Sequence, residues 1–186
     1  MAELRLQDKL LLFLTSNKLQ VAEKNFILTK EAASRKMQRI ALEIASELYA
    51  EKDELVVIGI AVNGMAIANK LISLLDGLLP MPLSIISCSL NKKHPDEVIY
   101  ERKIDFNGKN VLLVDDVTSS GRTLLYALKP LLQFYPKRIQ TMCLVERMHK
   151  NFPIKIDYIG LSIATTLQDH IQVEVDDDEV QGAYLL

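Results

Sequence analysis

Four short apolar runs, separated by segments of helical pattern, constrain this chain more than any other feature. They are Leu55 to Ile60 (LVVIGI), Leu83 to Cys88 (LSIISC), Val111 to Asp116 (VLLVDD) and Ile139 to Val145 (IQTMCLV). Each is close to continuously apolar, which predicts a strand buried on both faces, as in a parallel sheet with helices on either side. The segments between them supply the helices. Thr29 can cap a helix whose apolar positions Ala33, Met37, Ile40, Ala41, Ile44 and Leu48 recur at helical spacing. Gly64 opens a second pattern, with Met65, Ala68, Leu71, Ile72 and Leu75 on its apolar side and Gly77 as a stop. A third passes through Leu124, Leu125 and Leu128 and should bend or end at Pro130. Strand and helix in alternation predict an α/β fold: an open, mostly parallel sheet flanked by helices and joined by right-handed crossovers.

The remaining segments fit around that core. Residues 1–25 read as an N-terminal helical extension, with Leu4, Leu10, Leu11 and Leu14 near one face. Residues 89–109 are polar and contain Pro95 and the turn pair Asn107-Gly108, as expected of a long flexible loop or a loose hairpin. The tail segments IKIDYIG, HIQVEV and VQGAYLL read as short terminal strands. At 186 residues the whole chain, 1–186, is expected to form a single domain.

Charge and cysteine usage narrow the function classes. The formal net charge is −2, which argues against a surface built wholly for nucleic acid or anionic membrane. From Thr166 onward there are six acids (Asp169, Glu174, Asp176, Asp177, Asp178, Glu179) and neither Lys nor Arg, a cluster read as a solvated turn. Cys88 and Cys143 fall inside apolar runs and are expected to be buried, structural thiols of a reducing compartment. The apolar run Leu10 to Leu14 is too short to cross a bilayer, so no membrane partner and a cytoplasmic location are expected.

In open α/β sheets ligands bind at the carboxyl ends of strands, which directs attention to the loops after Ile60 and Val114. The second carries the string VLLVDDVTSSGRT. Two acids, Asp115 and Asp116, end a buried strand; Val117, Thr118, Ser119 and Ser120 follow; Gly121, Arg122 and Thr123 lead into a helix. Backbone N–H groups at a helix start, with short hydroxyl side chains, suit a phosphate, and Gly121 lets the backbone turn closely. The two carboxylates would repel that phosphate but accept hydrogen bonds from sugar hydroxyls. A phosphate with a neutral diol nearby describes a ribose 5-phosphate. The acid pair taken alone would equally suit a helix cap.

Competing motifs lack their letters. GIAVNGMA (Gly59 to Ala66) has P-loop glycine spacing, but Met65 and Ala66 stand where Lys and Ser/Thr are required. No G-x-G-x-x-G follows a strand, and no G-x-S-x-G elbow is present. His94, His149 and His170 have no metal-ligand spacing.

The string resembles the phosphoribosyl pyrophosphate (PRPP) signature of type I phosphoribosyltransferases, two acids followed by Thr-Gly-x-Thr, with Ser120 in place of the first Thr. Arg138 to Thr166, with HIQVEV after it, is similar to the closing segment of the PyrR branch, pyrimidine-operon attenuators that are also uracil phosphoribosyltransferases. The resemblance implies the type I phosphoribosyltransferase fold and transfer of ribose 5-phosphate from PRPP to a pyrimidine base, uracil first, with release of pyrophosphate. It implies that Asp115 and Asp116 hold the ribose hydroxyls and that Thr118 to Thr123 hold the 5-phosphate. Ala61, Val62, Asn63 and Gly64 would contact pyrophosphate. Leu90 to Lys103 would close over PRPP, bringing Arg102, and with it Lys103, to the leaving group. Val145, Glu146 and Arg147 would face the base. Mg²⁺ is the implied cofactor, held mainly by PRPP with no side-chain ligands expected.

Three departures stand out: Ala61-Val62-Asn63-Gly64 replaces a Lys-Thr-Arg-Gly pattern, Glu146 replaces Asp, and Leu161 replaces Lys. The first removes two cations whose contacts to pyrophosphate would each be worth about 1.5–3 kcal/mol. The alternative expectation is therefore a catalytically weakened, PyrR-like regulatory protein that senses nucleotides and binds RNA. RNA is the less favoured partner because the chain is mildly acidic. A homo-oligomer is implied, and the leucine-rich segment before Ile27 is read as a helix packed on its own domain, with a subunit interface as its other role.

Overall fold

The structure, a computed structural model, describes residues 25–91, 95, 97–165 and 169–186. The apolar runs become β2 (Leu55–Ile60), β3 (Leu83–Leu90), β5 (Asn110–Thr118) and β6 (Arg138–Arg147). With β4 (Val98–Tyr100) and β7 (Tyr158–Ile163) they form a six-stranded sheet in the order β4-β3-β2-β5-β6-β7, parallel except at β4. Helices α1 (Lys30–Leu48) and α2 (Ala61–Leu75) contribute to one core cluster, and α3 (Arg122–Ala127), with a 3₁₀ turn over Lys129–Gln133, to the other. The expected α/β architecture is present, and the PRPP-like string ends its strand β5.

The run of apolar letters has a direct cause. Leu55, Val57, Leu112 and Val114 enter the cluster shared with α1 and α2, whereas Val56, Ile58, Val111 and Leu113 enter the cluster shared with α3. Side chains of a strand alternate between faces, so a strand with helices on both sides must be apolar at every position. Each such Val, Leu or Ile contributes about 1.5–3 kcal/mol on full burial.

Helix α1 begins where expected: the Thr29 side chain accepts a hydrogen bond from Ala32 N. Its buried residues Ala33, Met37, Ile40, Ala41, Ile44 and Leu48 are the predicted stripe. Helix α2 ends at Gly77, which adopts φ +80°, and α3 gives way to the 3₁₀ turn that contains Pro130.

Other expectations need correction. Helix α2 starts at Ala61, not Gly64, so Ala61 to Gly64 are its first turn and not a loop. In its described part the span 89–109 holds a short hairpin, β3 with β4, followed by irregular chain from Glu101 to Lys109. Strand β3 continues to Leu90, β4 pairs with it, and buried Phe106 contacts Tyr100 and Phe134 edge-on at 5.7 and 5.4 Å. The helical extension of residues 1–25 lies outside the described residues except for Asn25, which opens a strand.

That strand, β1 (Asn25–Thr29), joins β8 (Ile171–Asp176) and β9 (Glu179–Leu185) in a second, antiparallel sheet ordered β1-β9-β8. Leu28, Ile171, Val173, Val180 and Ala183 bury one face of it into the cluster that holds α1 and α2. The acid cluster does form a turn: Asp177 and Asp178, at φ +45° and +61°, connect β8 to β9 and are exposed. Among the described residues, no helix is long and apolar enough to cross a membrane.

Cys88 and Cys143 are free and buried. Burial, assisted by the Asp115 charge, pushes the Cys88 thiol up to about 12. Burial likewise pushes the Cys143 thiol up to about 12. Reactivity follows the thiolate, so an aromatic disulfide reagent at pH 8 should label neither thiol in the native protein and both after denaturation. Stoichiometric labelling without denaturant would contradict this core packing.

Candidate functional site

The site forms where helical cover runs out at the carboxyl end of β5. Alternation places Asp115 on the face of Cys88 and Cys143, and Asp116 on the face of α2. Asp115 is 1% exposed and Asp116 8% exposed, so each carboxylate needs partners to offset lost hydration. Asp115 Oδ1 accepts from Asp116 N at 3.0 Å, and Asp116 Oδ2 accepts from Asn63 Nδ2 at 2.9 Å. The same Asn63 amide donates to Val173 O at 3.2 Å and so ties the second sheet to the acid pair.

Two glycines permit this approach. A Cβ on Gly64 would stand 2.7 Å from Val114 O, so the first turn of α2 can lie against β5 only without a side chain there. Gly121 caps α3 at φ +82°, and a Cβ on it would meet Ile154 Cγ2 at 2.4 Å. Ala61, at φ +54°, occupies the left-handed region without being glycine. Such strain costs about 1–2 kcal/mol and is found most often at functional junctions.

Asp115, Asp116, Val117, Thr118, Ser119, Ser120, Gly121 and Thr123 line one cavity of about 380 Å³. The Thr118 hydroxyl is buried beside the Cys143 thiol. Ser120 Oγ accepts from Arg122 N at 3.3 Å, while Ser120 O accepts from Asn151 N and Phe152 N at 3.1 and 3.0 Å. The loop is therefore braced from behind. Arg122 is exposed and turns its guanidinium onto the Phe152 ring, 5.1 Å from the centroid.

The other candidates are distributed differently. Of Ala61 to Gly64, only Asn63 lines this cavity; Ala61 and Val62 line an adjoining one. Val145 and Glu146 pair with Val117 and Thr118 at the end of β6, beside the cavity but not among its lining residues. Glu146 is engaged by Lys150, and Arg147 donates to Asp169 O. Arg102 does not reach the acid pair. Strand β4 runs antiparallel and carries the chain back, so Arg102 acts on Glu54, just ahead of β2 at the amino end of the parallel strands. The hydrogen bond from Lys109 is the first cause that holds the Glu54 carboxyl below its ordinary value, and Arg102 contributes least.

The opposite wall comes from His170, Ile171, Gln172 and Val173, a contribution that sequence reasoning missed. The alternating pattern of HIQVEV signals a half-buried strand but not what it faces. Among the described residues no three His, Cys, Asp or Glu side chains converge as a metal cage. Asp115 and Asp116 nevertheless offer an anionic edge that suits a cation arriving on a phosphorylated ligand.

The phosphoribosyl transferase domain family matches residues 25–178, and the chain belongs to that family. Its place there is among the PyrR-like type I phosphoribosyltransferases. It is 33% identical to the bifunctional protein PyrR of Haemophilus ducreyi over 160 residues, covering 81% of this chain and 89% of that protein. It is also 33% identical over 165 residues to the pyrimidine operon regulatory protein of Lactococcus lactis, covering 86% and 95%. The hypoxanthine phosphoribosyltransferase of Trypanosoma cruzi superposes with a TM-score of 0.72 at 18% identity, over 88% of this chain and 96% of that one. A hypoxanthine-guanine phosphoribosyltransferase from Bacillus anthracis gives 0.67 at 20% identity, over 88% and 98%. At those identities the two structures share the fold.

Gly121→Ala should cost about 1–3 kcal/mol, from the left-handed backbone and the Ile154 contact together. Urea denaturation measures that cost. A variant as stable as the parent would show that the loop does not need its described conformation.

Proposed function

We propose that the chain transfers the 5-phosphoribosyl group of PRPP to a ring nitrogen of a pyrimidine, uracil first, and releases pyrophosphate. One observation carries this: Asp115, Asp116 and the whole Thr118 to Gly121 loop line a single cavity at the end of β5. In this reading the carboxylates accept from the 2- and 3-hydroxyls. Ser119, Ser120, Gly121 and Thr123 hold the 5-phosphate through backbone amides and hydroxyls. The bond from C1 to pyrophosphate breaks, a bond from C1 to the base nitrogen forms, and that nitrogen gives up its proton. The sugar acquires oxocarbenium character at the barrier, and two carboxylates fixed beside it stabilise the developing positive charge. The β8 wall, His170 to Val173, excludes water that would otherwise intercept the cation. Mg²⁺ bound to PRPP would supply neutralisation of the departing pyrophosphate, and Asp115 and Asp116 are the carboxylates of this cavity that would face it. Residues 25–186 act as one unit in this reading, since both sheets feed a common core cluster.

A second reading is favoured by the first turn of α2, where Ala61, Val62 and Asn63 bring no cation. A site with its sugar-phosphate contacts kept and its leaving-group contacts reduced suits a protein that binds a nucleotide as a signal. The Lactococcus lactis relative, named a pyrimidine operon regulatory protein, supports it, and RNA is the partner it would add. Of the four cations on α1, Lys30, Arg35, Lys36 and Arg39, Arg39 is engaged by Glu43 and Ile159 O, and Lys30 donates to Gln181 Oε1.

Release of pyrophosphate from PRPP with Mg²⁺ should depend on added uracil and fall about a hundredfold or more in an Asp115→Asn, Asp116→Asn variant that keeps its circular dichroism. A clean preparation that turns over no common base sinks the catalytic reading. RNA affinity that falls steeply with salt would then support the regulatory one.

A further inference from the structure

The two sides of the acid-pair cavity come from different sheets. Asp115, Asp116 and the Thr118 to Gly121 loop belong to the parallel sheet and the turn after β5, whereas the facing wall is His170 and the first residues of β8. β5 and β8 are not hydrogen-bonded neighbours, so the gap between them is set by what bridges it. Ile171 and Val173 enter the core cluster and hold β8 against the molecule. Apolar contact is non-directional, however, and fixes a separation less sharply than a hydrogen bond does.

Directional contacts to the wall come from two side chains. Arg147, at the end of β6, donates to Asp169 O, just ahead of β8, and Asn63, in the first turn of α2, donates to Val173 O at 3.2 Å. His170, Ile171 and Gln172 lie between these points. The bonds from Asn69 to Asp178 and from Lys70 to Glu179 fall at the β8–β9 turn, outside the lining of this cavity. Asn63 differs from Arg147 in reaching both sides. Its amide nitrogen carries two hydrogens, one for Asp116 Oδ2 at 2.9 Å and one for Val173 O. A shift of either the acid or the wall therefore takes an acceptor away from the same nitrogen.

We propose that Asn63 is a positioning residue, which sets the separation between the acid pair and the β8 wall and so favours a ligand that touches both at once. This rests on the sugar-phosphate reading of the cavity. With the loop given to the phosphate and the carboxylates to the diol, the lining left for a further group is Asn63, Val117, Leu124 and the β8 wall. A 5′-mononucleotide carries such a group, its base; ribose 5-phosphate does not.

Ribose 5-phosphate and uridine 5′-monophosphate are therefore the probes, titrated calorimetrically into the full chain at fixed Mg²⁺. Asn63→Ala should weaken the nucleotide about tenfold and ribose 5-phosphate by no more than about twofold, so that the ratio of the two affinities falls about fivefold. Asn63→Asp should do the same although it preserves the shape, because an ionised carboxylate donates to neither partner. Asn63→Gln keeps the donor and should retain most of the ratio. Without ligand, amide hydrogen exchange should quicken across residues 169–176 in the Ala and Asp variants and stay unchanged across β2. A ratio unmoved in Asn63→Asp, equal weakening of both probes, or unchanged exchange across β8 overturns the inference alone. Failure of ribose 5-phosphate to bind the unaltered chain overturns the sugar-phosphate reading and the inference together.

Discussion

Strand β5 is buried on both faces and carries two adjacent carboxylates near its carboxyl end, and the arrangement of the site follows from accommodating that change. Up to Val114 its side chains are absorbed by two apolar clusters. Beyond it, neither cluster can take a charge, so Asp115 and Asp116 must meet hydrogen-bond donors at the edge of the sheet. Helix α2 reaches Asp116 because Gly64 lets its first turn lie against the strand. Helix α3 is offset from β5 by the braced loop that Gly121 closes. The cavity is thus the gap left between two helix starts by one charged strand end.

Asn63 connects this gap to the rest of the molecule. Its amide bonds both Asp116 and Val173 O, so one side chain spans the parallel sheet and the small antiparallel one. Where the family pattern has an arginine, this shorter side chain is turned inward to structural partners.

The central strands were legible because double burial leaves a compositional mark that local reading detects. The acid pair and its hydroxyl loop were legible for the opposite reason, since charge at the end of a buried run is costly without a role. The start of α2 was not legible: Ile60 precedes it in place of a capping Ser, Thr, Asp or Asn, and Ala61 enters through a positive φ. The far wall of the cavity was legible as a strand but not as a wall, because the alternation of Ile171, Val173 and Val175 does not say which partner a strand will find. The course of the chain around Arg102 was not legible either, because the three residues of β4 reverse its direction, a signal too short to stand out from a polar segment.

Pairing of Asn25 with Leu185 joins two strands separated by most of the described chain. During synthesis, the parallel strands β2, β3, β5 and β6 can assemble while β8 and β9 are still to be translated, leaving the apolar face of α1 without its final cover. Loop closure over so long a separation is entropically slow, and exposed strand edges persist until it occurs. The cleft beside the acid pair therefore gains its far wall only when the chain closes a loop of nearly its whole described length, one of the slower steps open to it.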